Sequence, residues 1–382
     1  MLQIDHVYEF FYETIFKDFS LYHLPRGVPK IKDVSMDDIH LFTNSIGSPE
    51  IFFYDQEPLY QDILNQYLKL NTTNDPITLV TSEYSKEVDR YRDKTLYYFF
   101  HGFAALDWYR GYYALNYNKS IVKHYNYDYV TFNRIIYGNR SYRIYFVSLL
   151  EEHGLSDHGL VSFNVTDNVF DDWRDETSDP ESKLSEHAKQ HAEKNLVGID
   201  KLIIDFAKLP GSASADIPRT INSWMFEGKN PPEIDSFWHV VTETVFYYDK
   251  LHLTEKTFKP IVSKQPFILL AAPGNLAYLK SYGFKTFDNI IDESYDSIQD
   301  NDSRIEAVVK QLAWYCRLSD QEKTDVMRAV EPIILHNFHH FYGEFKHIIT
   351  RELLDNTKTL FKDLGHDDGN INYDRIYHVL TH

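Results

Sequence analysis

The sequence predicts an α/β protein made of two Rossmann-like domains, and three observations support this prediction. Short runs rich in β-branched and aromatic residues alternate with loops and amphipathic segments, which is the pattern of a parallel sheet with crossover helices. The chain has 382 residues, more than a single domain usually contains. Hydrophobic residues make up 43% of it, which is enough for packed cores and too many for a disordered chain.

In the first half of the chain, five apolar runs are expected to form strands. They are residues 50–54, 77–81, 96–100, 127–132 and 160–163. A helix is expected over residues 141–153, because Gly154 follows it at the position where many helices end in a left-handed glycine.

A polar, acidic run at residues 171–193 has few large apolar side chains and is interpreted as an exposed connecting segment or a solvated helix. The domain boundary is placed around this run. The predicted parts are a first domain at residues 1–165, a connecting segment at 166–194, a second domain at 195–345, and a C-terminal helix and tail at 346–382.

The second half of the chain is expected to add strands at residues 202–205, 237–246, 267–271 and 286–291. Asn275 is expected to cap a helix that ends at Gly283. Residues 319–322 form a capping box that should open another helix, which Pro332 should end or kink. A long aromatic helix is predicted at residues 336–361.

Charge and cysteine content restrict the classes of function. The net charge of −18 argues against a surface that binds nucleic acid through bulk electrostatics, but it does not exclude a local basic cleft. The single cysteine, Cys316, excludes an internal disulfide and fits a reducing compartment. We find no signal peptide and no apolar run of about 20 residues, so we expect a cytoplasmic protein of a bacterium or a virus-infected cell, without a membrane partner.

Residues 237–260 carry charged side chains at an expected strand end and helix start, and they are the main candidates for a functional site. An apolar run ends near Glu243. Further along, a helix is expected to begin at Thr254, which can serve as its N-cap and is followed by Glu255 and Lys256. A carboxylate at a strand end and a Glu-Lys pair at a helix start would face the carboxyl edge of a sheet, where α/β folds bind nucleotides. There a carboxylate can hold ribose hydroxyls and a lysine can hold phosphate oxygens.

The same stretch resembles the donor-binding motif of the α1,3-fucosyltransferase-like family of GT-B glycosyltransferases. The matching residues are Glu243, Thr244, Asp249, His252, Thr254, Glu255 and Lys256, followed by residues 267–271 and 273–278. His252 stands where the family usually has tyrosine, and Thr244 stands where it has asparagine. The resemblance covers residues 237–290 well and residues 129–154 more loosely.

The resemblance implies the GT-B arrangement, with two Rossmann-like domains facing across a cleft. It implies inverting transfer from a GDP- or UDP-sugar held by the second domain, and a C-terminal helix that packs back on the first domain. The family places a diphosphate-binding arginine at a helix start, which Arg143 matches, with Arg140 as the rival. The expected donor-binding residues are Arg140, Arg143, Glu243, His252, Thr254, Glu255, Lys256 and Asn275.

An inverting transfer needs a general base beside the acceptor hydroxyl. Asp107 is the first candidate, because it precedes aromatic residues in an expected loop after a strand; Glu57 is the second and His101 the third. Trp108, Tyr109 and Arg110 are the expected acceptor-binding residues. The acceptor is either a glycan or a hydroxymethylated base in DNA, which would need an aromatic slot and a phosphate-binding rim. A non-catalytic nucleotide- or glycan-binding module is the remaining alternative.

No metal or other cofactor is expected. His336 and His340 have i,i+4 spacing but no acidic partner at a recognised spacing. Asp300 and Asp302 form the one Asp-x-Asp sequence, which a loop or helix cap explains better. No P-loop and no dinucleotide-binding glycine motif follows any predicted strand, and no nucleophile elbow is present.

Overall fold

The computed structural model describes residues 3–16, 21–24, 51–54, 58, 78–89, 94–109, 125–133, 135–163, 173–197, 199 and 235–382. These residues form an α/β protein with parallel sheets, as predicted. The chain divides into two compact units. Unit 1 comprises residues 1–107, 250–252 and 342–382, and unit 2 comprises residues 108–249 and 253–341. Among the described helices, none combines the length and apolar character needed to cross a bilayer.

Unit 1 contains a four-stranded parallel sheet in the order β1-β2-β3-β5. The strands are β1 (Leu21–Leu24), β2 (Ile51–Tyr54), β3 (Thr78–Thr81) and β5 (Thr95–Tyr97). A short strand β4 (Tyr84–Ser85) pairs antiparallel with β9 (Lys250–Leu251). Strand β2 is buried along its whole length, and Phe53 packs edge-on against Phe11.

The helices of unit 1 come from both ends of the chain. They are α1 (Gln3–Glu9), which continues as a π-helical turn at Phe10–Ile15, α2 (Lys86–Asp89), α3 (Phe100–Trp108, whose last residue begins unit 2), α11 (Lys346–Leu364) and α12 (Tyr373–Thr381). Helix α11 packs against β5, and the Asn356 side-chain amide donates to the carbonyl of Tyr97 at 2.9 Å.

Unit 2 contains the second four-stranded parallel sheet, in the order β10-β8-β6-β7. Its strands are β6 (Tyr127–Asn133), β7 (Gly159–Phe163), β8 (Ser236–Thr242) and β10 (Phe267–Leu270). Every residue of β8 is buried, and Val240 lies opposite Thr131 on one side and Ile268 on the other. Burial along the whole strand is expected in a parallel sheet, because helices usually cover both of its faces.

Helices of unit 2 surround this sheet. They are α4 (Tyr142–Glu152), α5 (Trp173–Ser178), α6 (Glu186–Asn195), α7 (Glu255–Val262), α8 (Asn275–Ser281), α9 (Asn301–Cys316) and α10 (Asp320–His340). A π-helical turn at Phe341–Phe345 follows α10. The Ser319–Glu322 capping box is present, but α10 continues through Pro332, where we expected an end or a kink.

The sheet of unit 2 joins strands that the sequence assigned to different domains. Strand β6 pairs with β7 and also with β8, and Tyr129 lies opposite Trp238. The observed division therefore differs from the predicted boundary at residues 166–194. Hydrogen bonds between strands more than 100 residues apart leave no trace in local composition, which was the basis of the predicted boundary.

Three further segments can be compared with their predictions. The predicted strand at residues 202–205 lies outside the described residues. Residues 173–178 and 186–195 of the polar run are helices, which was one of the two structures predicted for it, and α6 packs against α4. The predicted strand at residues 286–291 is a turn instead. The Glu293 carboxylate accepts hydrogen bonds from the Phe287 amide at 2.7 Å and the Thr286 hydroxyl at 2.6 Å, so these residues pair locally rather than in a sheet.

Candidate functional site

The candidate site lies within unit 2, at the carboxyl edge of its sheet. From β6 the chain continues to β7 on one side, and it then returns to β8 on the other side of β6. The strand order therefore reverses between β6 and β8. In open α/β sheets the crevice outside such a reversal point is the usual place for a ligand. The loops after Asn133 and after Thr242 meet there.

Arg143 fills the base of this edge. It is the second residue of α4 and is 3% exposed. Its guanidinium donates to the carbonyl of Ile135 at 2.9 Å and to the carbonyl of Thr242 at 2.6 Å. The Nε–H has no hydrogen-bond partner among the described residues. Through these two bonds Arg143 joins the end of β8 to the loop after β6. Burial lowers the pKa of its guanidinium.

Lys256 is the second residue of α7, the first helix after β8. Its ammonium contacts the Thr244 hydroxyl at 3.1 Å, the Thr254 hydroxyl at 3.2 Å and a Glu255 carboxylate oxygen at 3.4 Å. The side chain is 32% exposed, so solvent reaches it. The sequence placed this residue correctly at a helix start, because Thr254 is the N-cap.

Glu243 has a different role from the one expected. Its buried carboxylate accepts hydrogen bonds from the Thr254 amide at 3.0 Å, the Thr254 hydroxyl at 2.7 Å, the Thr257 hydroxyl at 2.7 Å and the Thr244 amide at 2.9 Å. A carboxylate has about four acceptor positions, and these bonds use them. Glu243 therefore neutralises the positive end of α7 from inside the protein and has no acceptor position left for ribose hydroxyls.

Arg140 lies beside Arg143 in the loop that precedes α4. It is partly exposed and forms no ion pair within the described part of the chain. Its charge adds to the effect of burial in lowering the pKa of Arg143. The Glu176 carboxylate fixes this loop by accepting from the Gly138 amide at 3.0 Å, where Gly138 has a positive φ of 57°.

Asn275 is not the N-cap that the sequence suggested. Gly274 is the cap, with a φ of +84°, and Asn275 is the first helical residue, donating to the carbonyl of Ala272 at 2.9 Å. The Asp296 carboxylate accepts from the Leu276 amide at 2.9 Å and the Ala277 amide at 3.2 Å. Asp296 therefore already occupies the start of α8 where a phosphate would bind.

Arg304 is a second buried arginine at this edge, and sequence reasoning missed it. Its guanidinium donates to the carbonyls of Ala271 at 3.0 Å, Ile298 at 2.7 Å and Phe246 at 2.9 Å. Burial lowers the pKa of Arg304 to about 10. Unlike Arg143, Arg304 has no buried side-chain nitrogen that lacks a hydrogen-bond partner within the described part of the chain. No local signal marks it, because an arginine in the first turn of a helix is ordinarily exposed.

The acceptor candidates of unit 1 lie in a helix rather than a loop. Asp107 and His101 both belong to α3 and are buried, because the whole segment from Phe100 to Asp107 packs inward. The Asp107 carboxylate accepts from the Ile4 amide at 2.9 Å and so holds α1. His101 meets the ring of His252 edge-on, with 5.0 Å between ring centroids, and both residues belong to unit 1. The general-base role of Asp107 stays a prediction.

Of the remaining candidates on the acceptor side, two belong to unit 2 and two are not among the described residues. Glu57 and Arg110 lie outside the described residues. Trp108 and Tyr109 belong to unit 2. Tyr109 is fully buried and donates to the carbonyl of Glu255 at 3.2 Å, so its hydroxyl supports α7 rather than an exposed acceptor surface.

The two weak metal candidates have other partners. The Nε2 atoms of His336 and His340 lie 3.0 Å from the carbonyl of Gly283 and 2.7 Å from that of Tyr282, respectively, at the C-terminal end of α8. Asp300 caps α9 by accepting from the Ser303 amide, and Asp302 bonds to the Ser185 hydroxyl.

Comparison with protein-family models gave no match, and neither did comparison with curated proteins or with solved structures. Function must therefore be inferred from the geometry of this site and from the resemblance of residues 237–290.

Proposed function

We propose that this protein is a glycosyltransferase whose unit 2 binds a nucleoside-diphosphate sugar at the carboxyl edge of its sheet. One observation supports this above the others. Arg143 and Lys256 are both bound to the end of β8, through the Thr242 carbonyl and the Thr244 hydroxyl, at the point where the strand order reverses. Arg140 adds a third, partly exposed cation. A diphosphate is the ligand whose charge suits such a group.

In this proposal the cations divide their tasks by exposure. Lys256 and Arg140 reach solvent and would contact the phosphate oxygens directly. Arg143 is buried and would act by positioning the two strand ends and by its electric field. Negative charge grows on the diphosphate as an acceptor hydroxyl attacks the anomeric carbon, so cations fixed at that place lower the barrier. Glu255 remains a candidate for contacts with ribose or sugar hydroxyls, and Glu243 does not.

The resemblance adds the expectations of GT-B architecture, inverting stereochemistry and transfer without a metal. The donor is proposed to be a GDP- or UDP-sugar, and the acceptor hydroxyl belongs to a glycan or a modified DNA base. Asp107, His101 and Glu57 remain the proposed general bases.

Lys256→Met and Arg140→Met are each expected to weaken binding of GDP or UDP by roughly 1.5–3 kcal/mol, the usual range for a hydrogen bond to a charged group. Methionine keeps most of the side-chain length and removes the charge. Isothermal titration calorimetry on the full chain measures the change.

Lys310→Met is the matched control for this measurement. Lys310 is an exposed lysine of α9, and its removal changes the net charge of the protein by the same amount. Its nucleotide affinity should equal that of the wild type. Unchanged affinity in both site variants would remove the proposed diphosphate role, and equal losses in all three variants would indicate bulk electrostatics instead.

Slow hydrolysis of a panel of nucleotide sugars is expected to single out one donor, because water can replace the acceptor at a low rate. Lys256→Met should reduce this hydrolysis about 10²-fold, as expected when one stabilising donor is lost. Chromatography of released nucleoside diphosphate provides the measurement. Nucleotide binding without hydrolysis of any panel member would instead favour the non-catalytic module.

A further inference from the structure

A group of three potential metal ligands lies at the amino edge of the unit 2 sheet, opposite the candidate donor site. Asp128 is the second residue of β6, His158 lies in the turn directly before β7, and Cys316 is the last residue of α9. A carboxylate oxygen, a ring nitrogen and the thiol sulfur of these residues all lie within 4.8 Å of one another. Three separate elements thus bring three different ligand types to one place.

The surroundings of this group favour a cation. The Lys323 ammonium lies 2.6 Å from one oxygen of Asp128, and His158 Nδ1 lies 3.2 Å from the other. Lys323 is partly exposed, so its flexible side chain can turn out to solvent when another cation replaces it.

We propose that Asp128, His158 and Cys316 form a binding site for Zn²⁺. A set of one sulfur, one nitrogen and one oxygen ligand suits zinc, whereas Mg²⁺ and Ca²⁺ prefer oxygen ligands alone. In a tetrahedral zinc site neighbouring ligand atoms are about 3.4–3.6 Å apart, which follows from the zinc bond lengths. The three atoms lie within 4.8 Å of one another, so their separations exceed this range by at most about 1.4 Å.

Binding at this site is a ligand exchange without oxidation or reduction. Cys316 would bind as the thiolate and release one proton to solvent, and the ammonium of Lys323 would leave Asp128. His158 is half exposed, so a water molecule can supply the fourth ligand. The ion would tie β6, the turn before β7 and the end of α9 together, and it would therefore stabilise unit 2. This inference does not depend on the proposed transferase function.

The test is a zinc titration of the full chain after metal removal, followed by competition with a chelating indicator. One Zn²⁺ per chain is expected. Cys316→Ser and His158→Asn should each lower the affinity by at least about tenfold, because even indirect supports of a metal site contribute that much. Lys323→Met should raise it about tenfold, since an ammonium a few ångströms from the ion repels it.

The chain offers two sharp controls. His153→Asn removes an exposed histidine outside the group and should leave zinc affinity unchanged. Because the chain has one cysteine, a thiolate-to-cobalt charge-transfer band in the Co²⁺-loaded protein must come from Cys316. Zn²⁺ should also raise the melting temperature of the wild type by about a few degrees.

Several results would overturn the proposal. They are the absence of stoichiometric zinc binding, equal affinity in the wild type, Cys316→Ser and His158→Asn, or a Co²⁺ spectrum without a thiolate band. Should Cys316→Ser fail to fold, the surface variants His158→Asn and Lys323→Met still decide the matter, because their affinities must change in opposite directions.

Discussion

Glu243→Gln is expected to lower the free energy of unfolding of unit 2 by roughly 3–5 kcal/mol. The wild-type carboxylate accepts from two amides and two hydroxyls in a fully buried position. Glutamine has nearly the same shape, but its NH₂ group would face donors rather than acceptors. Some of the buried donors would then lose their partners, and the remaining bonds would lose the assistance of the charge.

Urea unfolding followed by tryptophan fluorescence measures this loss, because all five tryptophans belong to the chain segments of unit 2. Glu186→Gln is the control, since that carboxylate is largely exposed and its substitution should change stability by less than about 0.5 kcal/mol. Glu243→Gln also separates the two roles considered for this residue. A ligand-binding carboxylate would lose nucleotide affinity on substitution while stability stayed the same, and that result would contradict a structural role for Glu243.

Lys250→Met is expected to destabilise unit 1 by roughly 3–5 kcal/mol. The Lys250 ammonium lies 2.8 Å from the Glu83 carboxylate, and both side chains are at most 2% exposed. The pair holds β9 beside β4. Removing the lysine leaves a buried carboxylate without the ammonium that balanced it, and this desolvation penalty is the reason for the large effect.

The double variant Glu83→Gln/Lys250→Met is the informative control. It should be more stable than Lys250→Met, because glutamine removes the buried charge and can still accept from the Ser85 hydroxyl. Far-ultraviolet circular dichroism is the suitable measurement, since unit 1 has no tryptophan in its chain segments. The stability loss in the double variant is compared with the sum of the losses in Glu83→Gln and Lys250→Met. If the two are equal, Glu83 and Lys250 do not act as a buried ion pair.

Local signals in the sequence were sufficient for many individual elements. The strands at Tyr127–Asn133 and Gly159–Phe163 and the helix Tyr142–Glu152 lie within one residue of their predictions at each end. Gly154 and Gly283 have the positive φ angles expected at helix ends. Thr254 and Ser319 are N-caps as predicted. These features succeed because periodicity, caps and left-handed glycines depend on neighbours only a few residues away.

The charged residues of the candidate site were found by sequence, but their environments were not. The positions of Arg143, Glu243 and Lys256 at the ends of a helix or strand follow from local pattern. Sequence cannot tell that Arg143 bonds to the Thr242 carbonyl 99 residues away, or that Lys256 stays partly exposed. Burial and hydrogen-bond partners are properties of the packed sheet, and they decide which ionised side chain can meet a ligand.

By itself, therefore, the sequence determined the α/β class, the strands and helices around the candidate site, and the residue types at the carboxyl edge. Only the tertiary structure decided that β6 and β8 share one sheet, that α3 is a buried helix, and that Glu243 serves α7. The physical reason is the range of the interactions. Helix caps and strand propensity act over a few residues, whereas strand pairing and the satisfaction of a buried charge need partners that only folding brings together.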